Sequence, residues 1–421
     1  MSDRDWLFSL EQIGIKLGLD QIRALLEALD HPDRAFPSIV IAGTNGKGSV
    51  TAMVERGLRA AGYRTGRYTS PHLVDLEERF AIGGEPIAPA ELDRLASRIR
   101  RAAAAFDHPP SFFEATTALA LEAFRDAGVN AAVLEVGLGG RLDATNAVDS
   151  TAVAITAVDF DHEAYLGHTL PEIAAEKAGV IKPDGLVVLG ENAPAVREIV
   201  ESTATRQQAR LVYAPEGVSV EAVMTDGQIV ATIQTPGGTY GDVRLGLRGR
   251  HQVANAVVAI RLLEELNATG RFHLRVTDIR TAVEDVTWPG RLERRVWRGR
   301  DVLIDGAHNP AGARALAAYL RDIASHPVPF VIGVMRDKHV AGMLRALAPV
   351  ASTFICTAAQ SPRALTPAEL LAQAREVAPA VPARAVASLD EALEIAGRAG
   401  EPIVVAGSLY LAGEVRPLLS C

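Results

Sequence analysis

Short apolar runs alternate with helical patterns along most of the chain, and this alternation constrains the fold more than any other feature of the sequence. A stretch with apolar residues at helical spacing, from Val50 to Ala61, follows the first apolar run. Buried strands that alternate with helices are typical of parallel sheets covered by helices. The pattern therefore predicts an α/β fold. The first four runs of strand length lie at 39–42, 131–136, 153–156 and 186–189.

The same alternation continues after a pair of turn residues, Pro289 and Gly290. We therefore expect a first domain over residues 1–289 and a smaller, Rossmann-like α/β domain over residues 290–421. The runs in the second part lie at 302–304, 330–334, 353–356 and 403–406.

Within the first part, one region has a different pattern. Short β-like segments lie between turn sequences such as Asp226-Gly227. They predict a small β-rich insertion near residues 211–247, and a helix from about 251 to 266 is expected to follow it.

Size, composition and charge exclude several classes of protein. A chain of 421 residues is long enough for two or three domains, and 48% hydrophobic with 22% charged residues is unlike a disordered or fibrous protein. A formal charge of -8 gives no field that would attract nucleic acid or an anionic membrane. Two cysteines, Cys356 and Cys421, are too few for a disulfide framework, and no stretch resembles a signal peptide or a membrane span. We expect a cytoplasmic monomer with no nucleic-acid or membrane partner.

The strongest local signal for chemistry is the segment Gly-Thr-Asn-Gly-Lys-Gly-Ser at 43–49, between a predicted strand and a predicted helix. In such a loop, glycines let backbone N–H groups point at an anion, the helix N-terminus adds positive potential, and Lys47 adds a charge. The segment departs from the common pattern G-x-x-x-x-G-K-[ST], because Ile41 occupies the first glycine position and Gly48 separates Lys47 from Ser49. We interpret it as a phosphate-binding loop in preference to a glycine-rich turn with an exposed lysine.

Three further residues could form a metal site beside this loop. Glu135 lies inside an apolar run, where a carboxylate is costly unless it is paired or bound to a cation. His162 follows another predicted strand, and Ser70 lies in a loop that could reach the same sheet edge. Because Mg²⁺ prefers oxygen ligands, a histidine ligand would make Mn²⁺ equally suitable. A hydrogen-bonded core glutamate, a surface histidine and a loop serine are the simpler interpretations.

Two other motifs leave their roles open. Asp305 and His308, in Asp-Gly-Ala-His-Asn-Pro at 305–310, follow a predicted strand and could hold a ribose or a base, or the turn could cap the next helix. The segment Gly-Leu-Gly-Gly at 137–140 lacks the G-x-G-x-x-G spacing of a dinucleotide-binding loop. We interpret it as a turn that brings Arg141 and Asp143 into the cleft, and not as evidence for an oxidoreductase.

Together, the motifs resemble those of the folylpolyglutamate synthase and dihydrofolate synthase family, which is itself similar to the Mur amino-acid ligases. The resemblance runs from about residue 19 to about residue 411. Several matches in the same order are far more specific than any single loop. The matching motifs are AGTNGKGSV at 42–50, TSPHL at 69–73, LEVGLGGRLDATN at 134–146, DHEAYLG at 161–167, EKAGVIKP at 176–183, HQVANA at 251–256, WPGR at 288–291 and DGAHNP at 305–310.

The resemblance implies an ATP-binding P-loop domain, a Mur ligase-like second domain, and a set of residues for ATP and magnesium. Lys47, Lys177 and His162 would be the catalytic residues. The residues implied to bind ATP are Thr44, Asn45, Gly46, Lys47, Gly48, Ser49, Asn255, Arg291, Asp305 and His308. Those implied to hold Mg²⁺, or alternatively Mn²⁺, are Ser49, Ser70, Glu135, His162 and a carbamylated Lys177.

Lys177 is expected near the end of a helix that begins with the capping residues Thr169 and Glu172. Carbamylation requires a neutral amine, so the site must lower a lysine pKa that is ordinarily ~10.4. A plain lysine in a salt bridge to Glu176 or Glu135 is the simpler interpretation.

The resemblance also implies a pterin site and shows two departures. Val40 and Glu77 stand where the family has a histidine and an asparagine, and Glu77 lies in the segment that follows Ser70. The residues implied to bind the pterin are Phe113, Glu114, Leu142, Asp143 and Ala144.

The expected reaction is the ATP-dependent addition of L-glutamate to dihydropteroate, and later to reduced folates, through an acyl phosphate. A monofunctional folylpolyglutamate synthase and a Mur-like ligase for another carboxylate are the enzymatic alternatives. A P-loop switch or motor ATPase and a degenerate nucleotide-binding protein are the others.

Overall fold

The computed structural model describes residues 2–420, whose framework is two large sheets and one small sheet. The strands of the first sheet are β1 (Ser38–Ala42), β2 (Thr65–Tyr68), β3 (Phe80–Ile82), β4 (Glu85–Pro86), β5 (Ala131–Glu135), β6 (Ser150–Ile155), β7 (Leu186–Leu189) and β8 (Arg210–Tyr213). They lie in the order β4-β3-β2-β5-β1-β6-β7-β8, in which only the β2–β3 and β3–β4 pairs are antiparallel. The predicted α/β class is confirmed.

Helices cover both faces of this sheet because its central strands are apolar on both sides. In β1, Ile39 and Ile41 pack into one core cluster, while Val40 and Ala42 pack into another. The helices of this part are α1 (Asp3–Ser9), α2 (Asp20–Ala28), α3 (Lys47–Ala60), α4 (Pro89–Ala103), α5 (Phe112–Asp126), α6 (Glu163–Leu166), α7 (Leu170–Ala178), α8 (Pro194–Arg206), α9 (His251–Ala268) and α10 (Val276–Glu284).

The position of β1 determines where a ligand can bind. The chain leaves β1 towards β2 on one side, returns to place β5 beside β1, and then crosses to β6 on the other side. In open α/β sheets, ligands bind at the carboxyl ends of the strands where the strand order reverses in this way. The glycine-rich loop after β1, Glu135 at the end of β5 and the segment after β6 therefore lie at one sheet edge.

The small sheet is antiparallel and lies within the region of the predicted insertion. Its strands are β9 (Ser219–Thr225), β10 (Gln228–Thr235) and β11 (Gly238–Arg244), in the order β11-β10-β9. Residues 211–213, by contrast, belong to β8, which pairs parallel with β7. A short apolar run does not by itself distinguish a hairpin strand from an edge strand of a parallel sheet.

The second large sheet has six strands in the order β12-β13-β17-β14-β15-β16, and only β12 and β13 pair antiparallel. These strands are β12 (Glu293–Trp297), β13 (Arg300–Ile304), β14 (Val328–Ile332), β15 (Ala351–Cys356), β16 (Ala383–Ala385) and β17 (Ile403–Ala406). Its helices are α11 (Pro310–Ile323), α12 (Val340–Leu347), α13 (Pro367–Val377), α14 (Leu389–Ala399) and α15 (Leu409–Val415). The division of the chain into two domains at residue 289 stays a prediction.

Short 3₁₀ helices connect several of these elements, at Leu10–Ile13, Pro32–Arg34, Leu76–Arg79, Ala144–Ala147, Ala348–Val350 and Arg416–Leu418. Within residues 2–420, no helix has both the length and the apolar character needed to cross a membrane. Cys356 is a buried free cysteine in β15, and Cys421 lies outside the described residues.

Candidate active site

The glycine-rich segment 43–49 follows β1 and turns directly into α3. Gly46 precedes the helix with a φ of 89°, a conformation that residues with a side chain rarely adopt. A Cβ on Gly46 would collide with the side-chain amide of Asn255. Thr156 Oγ1, just after β6, donates a hydrogen bond to the Asn45 carbonyl at 2.7 Å. Contacts from α9 and from the end of β6 therefore fix the shape of the loop.

Gly48 has a packing reason for departing from the common phosphate-loop pattern. A Cβ on Gly48 would lie 2.8 Å from Trp288 Nε1. The Arg67 guanidinium lies over the same indole ring, 4.9 Å from its centroid. Gly48 thus makes room for Trp288, which packs the segment leading to the second large sheet against the first turn of α3.

Two lysines, the half-buried Lys47 and the buried Lys177, point at the same backbone carbonyl of the loop. Lys47 Nζ donates to the Gly43 and Thr44 carbonyls at 3.1 and 3.2 Å, and Lys177 Nζ, from α7, donates to the Gly43 carbonyl at 2.9 Å. Burial lowers the pKa of both lysines, and the Lys47 charge helps to bring that of Lys177 to about 7. A substantial fraction of Lys177 is therefore neutral at neutral pH, as carbamylation requires.

The salt bridge from Lys177 to Glu176 or Glu135, which the simpler interpretation predicts, does not occur in the structure. Glu176 instead pairs with Arg141 at 2.8 Å. The capped helix itself forms as expected, with Thr169 as N-cap and a capping box to Glu172. This places Lys177 in the last turn of α7, where it is buried.

Glu135 ends β5 as a buried carboxylate that is only partly satisfied. The residue is 6% exposed, and its Oε2 accepts a hydrogen bond from the Ser70 backbone N–H at 3.3 Å. Within residues 2–420, Glu135 forms no ion pair at 4.0 Å or less. Burial raises its pKa, although the nearby Lys47 charge opposes the shift. A buried carboxylate with unused acceptor capacity, beside a serine, suits a divalent cation.

His162 presents a ring nitrogen to a cation, but the cation is a lysine ammonium. Its Nε2 lies 3.0 Å from Lys338 Nζ, which also forms an ion pair with Asp161 at 2.6 Å. Burial and the Lys338 charge lower the pKa of His162 to about 4, so its imidazole is neutral at neutral pH. A neutral imidazole with its lone pair facing a positive charge has the chemistry of a metal ligand.

No group of three or more His, Cys, Asp or Glu side chains arranged to hold a metal occurs within residues 2–420. The predicted ligand set contains only two such residues, Glu135 and His162, because its other members are hydroxyls and a modified lysine. A site of this composition therefore depends on hydroxyl and carbamate oxygens, which are not among the His, Cys, Asp and Glu ligands.

Ser49 lies in the first turn of α3 and is held from α9. The Gln252 side chain donates to Ser49 Oγ at 3.2 Å and accepts from Asn255 Nδ2 at 2.8 Å. Sequence reasoning placed Gln252 in the HQVANA motif but gave it no role. The three side chains form a continuous buried chain of hydrogen bonds between the loop and α9.

The carboxyl edge of the second large sheet carries the motif at 305–310. Asp305 accepts hydrogen bonds from the backbone N–H groups of Leu292 at 3.0 Å and Ala307 at 2.9 Å, and burial raises its pKa against the opposing charge of Arg291. His308 Nδ1 lies 2.8 Å from the Gly306 carbonyl. Asp305 therefore holds the turn, and the cap of the next helix is made by Asn309, whose side chain accepts from the Gly312 N–H at 2.8 Å.

The edges of the two large sheets contact each other. Asn309 Nδ2 donates to Asn45 Oδ1 at 3.0 Å and to Asp161 Oδ2 at 3.2 Å. His308 Nε2 also lies 3.5 Å from Asp161 Oδ2, and these partners together with Lys338 hold the pKa of Asp161 well below its usual range. Sequence reasoning assigned no role to Asp161, Asn309 or Lys338. The signal that could have found Lys338 is its place shortly after the apolar run 330–334, where side chains gather at a sheet edge.

The residues predicted to bind the pterin lie together, but two of them have structural duties. Phe113 lies 5.9 Å from the ring of Tyr68, and a Cβ on Gly137 would be 2.5 Å from its Cζ atom. Glu114 completes a capping box with Ser111 at the start of α5. Asp143 accepts from the Leu138 N–H at 2.8 Å and from Thr145, and the neighbouring Leu142 and Ala144 follow the same turn.

Comparison with known proteins identifies the family. Residues 41–263 match the Mur ligase middle domain, and residues 290–409 match the Mur ligase glutamate ligase domain. The chain is 39% identical to the dihydrofolate synthase/folylpolyglutamate synthase of Mycobacterium tuberculosis, with 95% of this chain and 89% of the relative covered. It is 31% identical to the protein of the same name from Bacillus subtilis, with 99% and 98% covered.

Solved structures agree with this assignment. The M. tuberculosis folylpolyglutamate synthase complexed with ADP and AMPPCP has a TM-score of 0.91 and 38% identity, with 99% of each chain covered. E. coli FolC in complex with DHPP and ADP has a TM-score of 0.88 and 30% identity, with 99% and 97% covered. A bifunctional folylpolyglutamate synthase/dihydrofolate synthase with Mn, AMPPNP and L-glutamate bound has a TM-score of 0.85 and 30% identity, with 99% and 98% covered. The chain belongs to the dihydrofolate synthase/folylpolyglutamate synthase family of Mur ligase-like enzymes.

Proposed function

We propose that this enzyme uses ATP to join L-glutamate to dihydropteroate, and also to reduced folates, and so has both activities in the name of its relatives. One observation carries the proposal: the buried Lys177 and the half-buried Lys47, which form no ion pair within residues 2–420, converge on a glycine-rich loop beside the buried Glu135. Uncompensated positive charge at a helix N-terminus suits a polyphosphate. The relatives crystallised with ADP, DHPP and L-glutamate support these substrates.

The residues around the loop fit a divalent cation, which we propose is Mg²⁺, with Mn²⁺ able to replace it. Ser49, Ser70, Glu135 and His162 would hold it, and Lys177, once carbamylated, would be a ligand for a second ion of the same kind. The test of fit is the state of Glu135 and His162: the first has unused acceptor capacity, and the second is a neutral imidazole facing positive charge. A bound cation would offset the charge of the phosphates during transfer.

We propose that the first step activates the pterin substrate's carboxylate, which is itself a poor electrophile. A carboxylate oxygen attacks the γ-phosphorus of ATP, the bond to the ADP oxygen breaks, and an acyl phosphate forms. The Lys47 ammonium, which donates to the carbonyls of its own loop, would instead donate to phosphate oxygens. Phe113 and residues 142–144 would position the pterin, with Glu114 and Asp143 shaping the site through their backbone contacts.

In the second step, the amine of L-glutamate attacks the acyl carbon, and inorganic phosphate leaves as the amide forms. The proton that the attacking amine loses is taken up by the leaving phosphate, which departs as HPO₄²⁻. An acyl phosphate hydrolyses in water, so the reaction needs an enclosed site. The contacts of Asn309 and Lys338 with Asp161 bring the second sheet over the loop, and Asn255, Arg291, Asp305 and His308 would hold the nucleotide from both sides.

A steady-state assay tests this function. Dihydropteroate and tetrahydrofolate are each supplied with ATP, MgCl₂ and labelled L-glutamate, and amide formation is compared with phosphate release. We expect incorporation with both acceptors and one phosphate released for each glutamate added. Incorporation with tetrahydrofolate alone would show a monofunctional folylpolyglutamate synthase.

Two further results would overturn the proposal. Preference for a UDP-linked peptide as acceptor would indicate a Mur-like ligase for another carboxylate. Rapid ATP hydrolysis without any acceptor would indicate a switch or motor ATPase.

We also propose that the enzyme works as a cytoplasmic monomer, which sedimentation of the purified chain and fractionation of its host cells would test.

A further inference from the structure

Gln252 is a buried side chain in the first turn of α9 whose three polar contacts all face the loop or its neighbours. The residue is 1% exposed. Its Nε2 lies 3.2 Å from Ser49 Oγ and 3.3 Å from His251 Nε2, and its Oε1 accepts from Asn255 Nδ2 at 2.8 Å. A buried amide with both ends engaged has little freedom to rotate.

The partners of Gln252 determine which way its amide faces. Burial lowers the pKa of His251 to about 4, so its ring is neutral and Nε2 can act as an acceptor. The NH₂ group thus meets two acceptors, while the oxygen meets the NH₂ group of Asn255. The reversed amide would oppose its NH₂ group to that of Asn255 and leave both without a partner.

This orientation restricts what Ser49 Oγ can do. A serine hydroxyl has two lone pairs and one proton. When the Gln252 amide donates to one lone pair, the side-chain rotamer of Ser49 is fixed and the second lone pair remains for another positive partner. Ser49 is itself only 2% exposed, so few other groups compete for that lone pair.

We propose that Gln252 is a positioning residue that holds the Ser49 hydroxyl ready to bind a divalent cation accompanying the nucleotide. The inference rests on the proposed function, because it assumes a nucleotide in the loop. Asn255 orients Gln252, and Asn255 also packs against Gly46, so the same chain of contacts joins the loop's backbone to its hydroxyl ligand. Residues that orient metal ligands in this way contribute about 10- to 100-fold to metal affinity.

The test measures ADP binding by calorimetry to the purified full chain, once in EDTA and once in MgCl₂. The readout is the ratio of the two dissociation constants, because general damage to the site changes both constants together. We expect Mg²⁺ to tighten ADP binding to the wild type, and Gln252→Met, which conserves side-chain volume, to reduce that gain by about 10-fold. Gln252→Asn, whose shorter amide cannot span to Ser49, should do the same if the methionine variant fails to fold.

Two comparisons make the result specific. Ser49→Ala should lose the same part of the Mg²⁺ effect, and Ser49→Ala combined with Gln252→Met should lose no more than Ser49→Ala alone. Thr51→Val is the matched control, because Thr51 lies on the same helix and its buried hydroxyl has no hydrogen-bond partner within residues 2–420. Its ratio should equal that of the wild type.

The outcomes separate the inference from the proposed function. An unchanged Mg²⁺ ratio in both Gln252 variants, additive losses in the double variant, or an equal loss in Thr51→Val would overturn the role of Gln252 while leaving nucleotide binding intact. Failure of the wild type to bind ADP under either condition would overturn the proposed function itself.

Discussion

The carboxyl edges of the two large sheets differ in whether the chain itself supplies partners for their charged residues. At the first sheet, Lys177 and Glu135 are buried, Lys47 is half-buried, and all three lack ion-pair partners within residues 2–420. At the second sheet, Asp305 accepts two backbone hydrogen bonds. His308 there has a carbonyl partner of its own. The first edge therefore has charges that its own chain does not neutralise, and the second has charges that hold its own turn.

This difference indicates what each edge contributes. Burying an unpaired charge is costly, so a folded protein retains one where a ligand supplies the missing partner. A carboxylate that accepts two backbone N–H groups stabilises the fold whether a ligand is bound or not. Substitutions at the first edge should therefore reduce activity without reducing stability, whereas those at the second edge should reduce stability as well.

The largest expected effect is that of Lys47→Met. Removing this ammonium should lower glutamate incorporation by about 10²–10³-fold or more, because a charged donor to the transferring phosphoryl group is lost. The melting temperature should not fall, because desolvation lowers the pKa of Lys47 and the substitution removes a charge that the site disfavours. Initial rates and thermal unfolding measure the two effects. Near-normal turnover, or a strongly destabilised variant, would contradict the assignment of the first edge.

The second prediction concerns the pH dependence contributed by Lys177. Its pKa is about 7 in the folded state and 10.5 ordinarily, so between these values the unfolded chain binds the extra proton and stability rises with pH. Below pH 7 both states are protonated, and the full cost of burying the ammonium is present. Lys177→Met should therefore be the more stable protein at pH 6, by about 5 kcal/mol, and this advantage should shrink towards pH 10.

Chemical denaturation of both proteins in CO₂-free buffer measures that difference, because dissolved CO₂ could carbamylate the wild-type amine. Lys182→Met is a useful control, since Lys182 is also a lysine with a lowered pKa, but it is half-buried and donates to the Asn146 carbonyl outside the loop. A smaller and flatter difference is expected for it. An advantage of Lys177→Met that grows with pH would show that the ammonium is not destabilised by burial.

The fold could be predicted from the sequence because its signal is local. The run 131–136 has the length and composition of a buried strand, and β5 forms there; Thr169 and Glu172 form the expected capping box. The strand order is not local, and the sequence alone did not place residues 211–213 at the edge of the parallel sheet. That pairing is decided by which neighbour buries more apolar surface, and a short run carries no record of its neighbour.

The site was predictable only as far as the residues themselves suggest a charge or a ligand. Glu135 could be singled out because a carboxylate inside an apolar run needs an explanation. Gln252, Asn309 and Lys338 could not, because each acts through a partner far away in the sequence: Ser49, Asn45 and Asp161 respectively. These contacts join segments that follow different strands, so they exist only once the strands have assembled into sheets.

At the second edge, Asp305→Ala should cost about 2 kcal/mol of stability, because two buried backbone N–H groups lose their acceptor. Nucleotide affinity should fall as well, since the turn at 305–310 would lose its anchor. Asp301→Ala is the matched control, because Asp301 lies on β13, the strand that leads to Asp305, but pairs with Arg294 in solvent. Urea denaturation should separate the two variants. Equal stabilities would mean that Asp305, like Glu135, is kept for a ligand and not for the turn.

The smallest effect should come from Arg314→Ala, which removes an ion pair of 3.0 Å between α11 and Asp159 of the first sheet's edge. The Arg314 side chain is 61% exposed, so water and salt screen the pair and its loss should cost less than about 1 kcal/mol. Asn309→Ala should cost more, because the buried Asn309 amide donates to both Asn45 and Asp161. Denaturation of both variants at low and high salt compares the two contacts. If Arg314→Ala proved the more destabilising variant at high salt, the exposed ion pair and not the buried Asn309 amide would be the main contact between the two sheet edges. Partnering of charges by the chain itself would then fail to explain how the two edges are held together.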